Sequence, residues 1–306
     1  MAEQEEKWFR CLYQFHPGYT SESTDQIMPW LKEEVMPLAA KKLCHSVDYK
    51  ILAVGSGTGM VDKRLLHLIE EELRVCKWPK ITYTVVEVDP EAVEMCKKNL
   101  STMGLDIEFK WEVMTVNQYF SKPPEQFDMI HFMYSLFVMD KPLDGVVDLL
   151  KRNYLAKDGV FFTMYNDSKE EFFGDIMFEN MNSIMKVFEG GDAFDASQSV
   201  GGTEGEPCQT LDNNALSQQV VELGWGCKVF SKYNKEYVTD ILDRTDAGIE
   251  KLGYILGCSA LKRKMPAEDL EKILQQIDKK ANKEVVDGKE IRFGESLHHM
   301  IMIYHA

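Results

Sequence analysis

Gly55-Ser56-Gly57-Thr58-Gly59 is the segment of this 306-residue sequence best suited to chemistry. It follows a short apolar run, Lys50 to Val54, and precedes apolar residues at helical spacing, Leu65, Leu66, Ile69 and Leu73. Glycines between a strand and a helix permit a tight turn and let backbone N–H groups approach a ligand closely. A bare strand–helix turn with no ligand has the same pattern. The next run, Ile81 to Val88, is followed by Asp89-Pro90. An acid there can accept both ribose hydroxyls of an adenosine, or it can cap the helix that Pro90 opens. Ile107 to Val113 leads to Met114-Thr115-Val116, where an adenine would be flanked, and the fourth run closes with Ile130-His131-Phe132-Met133. A dinucleotide site prefers GxGxxG, whose third glycine lets the helix pack closely, but Met60 stands at that position. The Lys-Ser/Thr pair of a P-loop is absent. A ligand without a pyrophosphate is expected.

These residues need a scaffold that brings strand ends together. Strands at 50–54, 81–88, 107–113, 127–133 and 159–165 alternate with helical patterns at 60–76, 91–102 and 142–153. Nearly continuous apolar strands in such an alternation predict a parallel sheet covered on both faces. Ligands then bind outside the carboxyl edge of the sheet. Helical spacing also marks 25–44, broken by Pro29 and Pro37, and 169–187, 212–223, 237–258 and 267–282. Strands are expected at 227–233 and 297–304, and an exposed glycine- and acid-rich loop at 189–207. The reading is a single domain over 1–306. Its cofactor-binding core covers about 48–165 with strands 227–233 and 297–304, and its substrate-binding and lid parts cover about 1–47 and 166–296.

Composition narrows the partners. Fifty acids against 35 bases give a net charge of -15, which repels nucleic acid and anionic lipid and attracts small cations. No apolar run approaches the roughly 20 residues of a membrane span. The acidic, polar N-terminus is unlike a signal or transit peptide. The seven cysteines are scattered and form no CxxC pair, so reduced thiols, a cytoplasmic setting and no zinc site are expected. His131, inside an apolar run, reads as a satisfied core histidine more than as a base. His298 and His299 point to opposite faces of a strand and make poor joint metal ligands, so no metal is expected. Nothing in the sequence demands an oligomer, and a monomer is expected.

GxGxG, the acid after the second strand and seven strands with a late return strand resemble the class I S-adenosylmethionine-dependent methyltransferases. Within them the chain is similar to the histamine N-methyltransferase family over nearly its whole length. The residues that carry this are Ile51 through Gly59, Val86-Glu-Val-Asp-Pro90, Phe109-Lys-Trp111, Phe127 through His131, Cys208-Gln209 with Leu216 and Leu223-Gly224, and Phe293 through Ile303. The resemblance implies a Rossmann-like, mostly parallel seven-stranded sheet with an antiparallel last strand, 297–304 lying beside 227–233. It implies a cofactor site of Gly55, Ser56, Gly57 and Gly59 in the loop and Asp89 at the ribose. Glu94 matches a glutamine near the cofactor, Thr115 and Val116 the adenine-flanking pair, and Met133 an apolar contact near the methionine moiety.

The same resemblance implies a lidded aromatic pocket for a small amine. Its N-terminal acid is Glu22, or Asp25 if the insertion point lies differently; either acid would also serve as a helix cap. Trp8 and Phe15 fall in the N-terminal aromatic stretch. The chain departs from the family's pattern elsewhere. The glutamine after the fourth strand is Tyr134, the tyrosines after it are Phe137 and Val138, and the C-terminal asparagine aligns with Glu295. A second acid at 295 would favour a more cationic amine, although an acid in an exposed turn reads the same way.

Transfer to a neutral nitrogen needs no general base, so no catalytic residue is expected beyond those that position the reactants. Acids and rings would anchor a distal ammonium, each ring adding roughly 0.5–2 kcal/mol of cation–π attraction. Two other readings stay open at this point: a cofactor-binding pseudoenzyme, and a small-molecule O-methyltransferase.

Overall fold

The computed structural model describes residues 27–73, 79–101, 103, 107–136, 139, 141–166, 172–180, 183–184, 211–255 and 265–305. The chain divides into two compact units. One takes Ser21–Tyr165, Leu211–Ser231 and His299–Ala306; the other takes Met1–Thr20, Asn166–Thr210 and Lys232–His298.

The strands are β1 (Asp48–Val54), β2 (Lys80–Glu87), β3 (Ile107–Val113), β4 (Phe127–Met133), β5 (Leu155–Asn166), β6 (Trp225–Tyr237), β7 (Asn282–Val286) and β8 (Lys289–His305). Their order is β3-β2-β1-β4-β5-β8-β6, with β7 paired to β8. β1 to β5 pair in parallel, and the C-terminal strands run antiparallel. The expected Rossmann-like, mostly parallel sheet is therefore present, with eight strands instead of seven and the last strand placed beside β6.

In the first unit both faces of the sheet are covered. Ile51 and Ala53 of β1 face one side with Leu43 of α1 (Met36–Leu43) and Leu65 and Ile69 of α2 (Met60–Leu73). Leu52 and Val54 face the other, with Val146 and Leu150 of α5 (Pro142–Lys151) and Leu216 of α7 (Asn213–Glu222). Two-sided burial is why these strands are apolar without alternation. Each of these leucine, isoleucine and valine side chains contributes roughly 1.5–3 kcal/mol on leaving water. Two further helices complete the layers that position the site, α3 (Pro90–Ser101) and α4 (Val116–Phe120). Ahead of α1, Leu31–Val35 form a π-turn in which the Met36 N–H reaches the Leu31 carbonyl. Pro37, which has no N–H to donate, stands directly after it.

The second unit packs α6 (Phe172–Glu179), α8 (Thr239–Leu242), α9 (Asp246–Ile255) and α10 (Ala267–Lys280) around Ile176, Leu252, Ile273 and Ile277. The helix expected over 237–258 is broken. Arg244 adopts a left-handed φ of 57° and the Thr245 hydroxyl accepts the Gly248 N–H at 2.9 Å, which starts a new helix. The β7–β8 hairpin was not expected. It turns at Asp287-Gly288, both with positive φ, a pair suited to a tight two-residue turn. The loop expected at 189–207 lies outside the described residues. The expectation of seven reduced thiols is corrected at Cys44, which is disulfide-bonded; Cys96 and Cys227 are free. Among the described residues no helix is long and apolar enough to cross a membrane.

Ala53 is fully buried between Val85 of β2 and His131 of β4. Ala53→Leu should lower stability by about 1–3 kcal/mol through overpacking, measured by denaturant unfolding.

Candidate ligand site at the glycine loop

β1, β2, β3 and β4 run in parallel, so their carboxyl ends share one edge of the sheet. The glycine loop leaves β1 there and is held from several sides. Gly55, Gly57 and Gly59 have φ of 68°, 53° and 74°, left-handed values that a side chain resists. A Cβ on Gly55 would stand 2.4 Å from Ser135 Cβ, and one on Gly59 would stand 2.4 Å from Cys96 Sγ. The glycines therefore let the tip of β4 and helix α3 close against the loop. Ser135 completes the first contact by donating its hydroxyl to the Val54 carbonyl at 2.5 Å. The chain reaches Ser135 through Tyr134, whose own φ is 56° and whose N–H donates to the Met164 carbonyl. From α3, Asn99 Nδ2 donates to the Thr58 carbonyl at 2.9 Å.

The glycine N–H groups are spent inside the protein. Gly55 donates to the Val86 carbonyl at 2.8 Å and Gly59 to the Ser56 carbonyl at 2.9 Å. Gly57 donates to Glu87 Oε2 at 2.9 Å. The same carboxylate accepts the N–H groups of Val88 and Asp89 on its other oxygen, at 2.8 and 3.1 Å. Glu87 is 2 % exposed, and burial pushes its pKa up despite these three donors. The sequence reading expected these amides to approach a ligand. Instead the Gly57 amide grips a carboxylate beneath the loop and the other two reach backbone carbonyls, which leaves no nest for a phosphate among the three and puts an acid there.

Asp89 lies at the tip of β2 as expected. Its Oδ1 accepts the Glu91 N–H at 2.8 Å, so one oxygen caps α3, and Oδ2 is left for another donor. Glu94 is exposed on α3 and paired with Lys97 at 2.6 Å. Thr115 spends its hydroxyl on a reciprocal cap of α4, accepting from the Gln118 N–H at 3.2 Å while Gln118 Oε1 accepts the Thr115 N–H. Val116 and Met133 are buried in the two apolar layers. Glu295 is exposed, with Asn282 Nδ2 3.4 Å away, and acts electrostatically on Lys235, which is paired with Glu284. Glu22, Asp25, Trp8, Phe15, Phe137 and Val138 lie outside the described residues.

The sequence reading missed Glu87, although the acid was in plain view two residues before Asp89. It also missed the polar group beneath the loop. Asp62, Tyr83 and His131 are all buried, and Ser56 Oγ donates to Asp62 Oδ1 at 3.0 Å. His131 stacks on Phe162 with ring centroids 5.4 Å apart, and burial lowers its pKa. It is a core histidine, but one with a polar partner in Tyr83.

No family model matches the chain, and no curated protein sequence matches it. Among solved structures it is similar to the plantazolicin methyltransferase BamL, in complex with a triazolic desmethylPZN analog and SAH. The two share 13% identity over 99% of this chain and 95% of that one, with a TM-score of 0.44. It is similar to precorrin-6y C5,15-methyltransferase from Geobacter metallireducens GS-15, at 11% identity over 89% of each chain and a TM-score of 0.39. It is also similar to the [4+2]-cyclase SpnF, at 14% identity over 88% of this chain and 80% of that one, with a TM-score of 0.40.

Because burial raises the Glu87 pKa above 4.5, the folded protein holds that proton more tightly than the unfolded chain does. Its contribution to stability is full at low pH and is lost as pH rises through the raised value. The excess stability of the wild type over Glu87→Gln should therefore shrink as pH rises above 4.5, read from urea unfolding of both proteins. Gly59→Ala should cost about 2 kcal/mol or more, from the left-handed backbone and the contact with Cys96, read in the same way.

Proposed function

We propose that the chain binds S-adenosylmethionine at the glycine loop and is a methyltransferase for a small cationic amine, histamine or a related biogenic amine. The observation that carries this reading is the buried Glu87 carboxylate bonded to the Gly57 N–H. A loop built over a buried acid with no cationic partner in its hydrogen bonds disfavours pyrophosphate and favours an adenosyl ligand that carries positive charge. Asp89, with one oxygen capping α3, keeps the other for a ribose hydroxyl. The donor set therefore fits S-adenosylmethionine. When bound, that cofactor supplies an electrophilic methyl group on a sulfonium.

The chain's own part is positioning. The loop, held by Ser135, Asn99 and Glu87, fixes the cofactor's place with little freedom left to lose on binding. Transfer is in line to a neutral nitrogen, which needs no general base. Thr115 and Val116 flank the adenine through backbone and methyl surface, since the Thr115 hydroxyl is engaged in its cap. Met133 and Tyr134 contribute apolar surface at the end of β4. Glu22, or Asp25 in its place, anchors the amine, with Trp8, Phe15 and Phe137 supplying rings. Glu295 faces solvent near the Lys235–Glu284 pair and adds little to that anchor. The protein works as a cytoplasmic monomer with no metal.

Calorimetry with S-adenosylhomocysteine tests the cofactor site. The wild type should bind it, and Asp89→Asn should weaken binding about tenfold with an unchanged melting temperature, because asparagine keeps the cap. No heat with the wild type sinks the reading. Methyl transfer from labelled S-adenosylmethionine to a panel of biogenic amines tests the reaction, and no turnover with any amine would favour a cofactor-binding pseudoenzyme. Glu295→Gln should change the KM of an accepted amine by less than about twofold.

A further inference from the structure

Beneath the glycine loop, Ser56, Asp62, Tyr83 and His131 form a continuous polar chain through an otherwise apolar layer. The Tyr83 hydroxyl lies 2.7 Å from Asp62 Oδ1 and 2.9 Å from His131 Nε2. Tyr83 stands opposite Ile51 of β1, and His131 stands opposite Ala53 on the far side of the same strand, so the contact crosses β1 where the side chain is smallest. A hydroxyl has one proton. Donated to the Asp62 carboxylate, it leaves the Tyr83 oxygen to accept from His131 Nε2–H. His131 Nδ1 is then a bare lone pair, and it is buried with no hydrogen-bond partner. The imidazole is thereby confined to one neutral tautomer, and its orientation is further set by the stack on Phe162.

Asp62 Oδ1 takes both the Tyr83 hydroxyl and the Ser56 hydroxyl, at 2.7 and 3.0 Å. Asp62 is the third residue of α2, and no basic side chain is ion-paired to it other than this neutral histidine, 3.7 Å away, among the described residues. Its orientation therefore depends on the two hydroxyls, and only Tyr83 is anchored on the rigid sheet. The carboxylate passes that anchorage to Ser56, in the middle of the loop.

We propose that Tyr83 is a positioning residue for the cofactor, acting through Asp62 on Ser56 to hold the glycine loop in its binding shape. The proposal rests on the reading of the loop as the S-adenosylmethionine site. It gives a purpose to a hydroxyl and an acid that a packed apolar layer would otherwise exclude. A side chain that merely filled space would be replaced by phenylalanine without effect on ligand affinity.

The test is a double-mutant cycle on the binding of S-adenosylhomocysteine, measured by calorimetry on wild type, Tyr83→Phe, Ser56→Ala and the double variant, with melting temperatures recorded without ligand. Each single change should weaken affinity about five- to tenfold, and the double variant should bind within about twofold of the weaker single, because both changes cut one path. Wild type that binds nothing overturns the site reading itself. Wild type that binds, with Tyr83→Phe binding equally well, overturns only the positioning role, as does a double variant that loses the product of the two single factors. If Tyr83→Phe does not fold, Ser56→Thr against Ser56→Ala decides. Threonine keeps the hydroxyl and should bind within about twofold of wild type, and equal loss in both variants overturns the proposal.

Discussion

A carboxylate placed beneath a chain reversal must be met by donors, and Glu87 is met by the N–H groups of Gly57, Val88 and Asp89. That arrangement joins the tip of β2 to the loop that leaves β1. It also turns the Gly57 amide inward. What the loop offers a ligand is therefore its shape and the negative potential behind it. A phosphate would meet that potential unfavourably, and a cation would be drawn to it. The net charge of -15 acts in the same direction at longer range.

The glycines do more than turn the chain. Gly55 makes room for Ser135, and Gly59 for Cys96, so β4 and α3 both close on the loop at distances that a methyl group would forbid. Such closeness is why a strained Tyr134 is tolerated. Its left-handed backbone delivers Ser135 to the Val54 carbonyl, and the packing around it supplies the compensation. The loop is thus fixed before any ligand arrives, which limits the ordering cost of binding.

The parallel core was legible because continuous apolar strands and helical spacing each follow from burial on two faces. The limits of β3 and β4 match the expected 107–113 and 127–133. The single-helix expectation at 237–258 failed because nothing in apolar spacing announces a left-handed Arg244. The β7–β8 hairpin carried a legible Asp-Gly signal that a preference for helix and apolar strand passed over. At the candidate site, Gly55 to Gly59 and Asp89 were singled out from type and spacing. Glu87 was overlooked because its role depends on an amide that is distant in sequence. Tyr83 and Asp62 were overlooked because a tyrosine in a strand and an acid in the first turn of a helix each have an ordinary local explanation. Their meeting is a property of the packed sheet alone.

Cys96 sits under Gly59 in the buried layer, and its thiol is held protonated by burial and by the acids Asp62 and Glu87. A maleimide or an oxidant needs a thiolate and a path to it, and the closed loop denies both. The rate at which this one sulfur is alkylated is thus a native gauge of how often the turn lifts away from the helix, with no probe introduced.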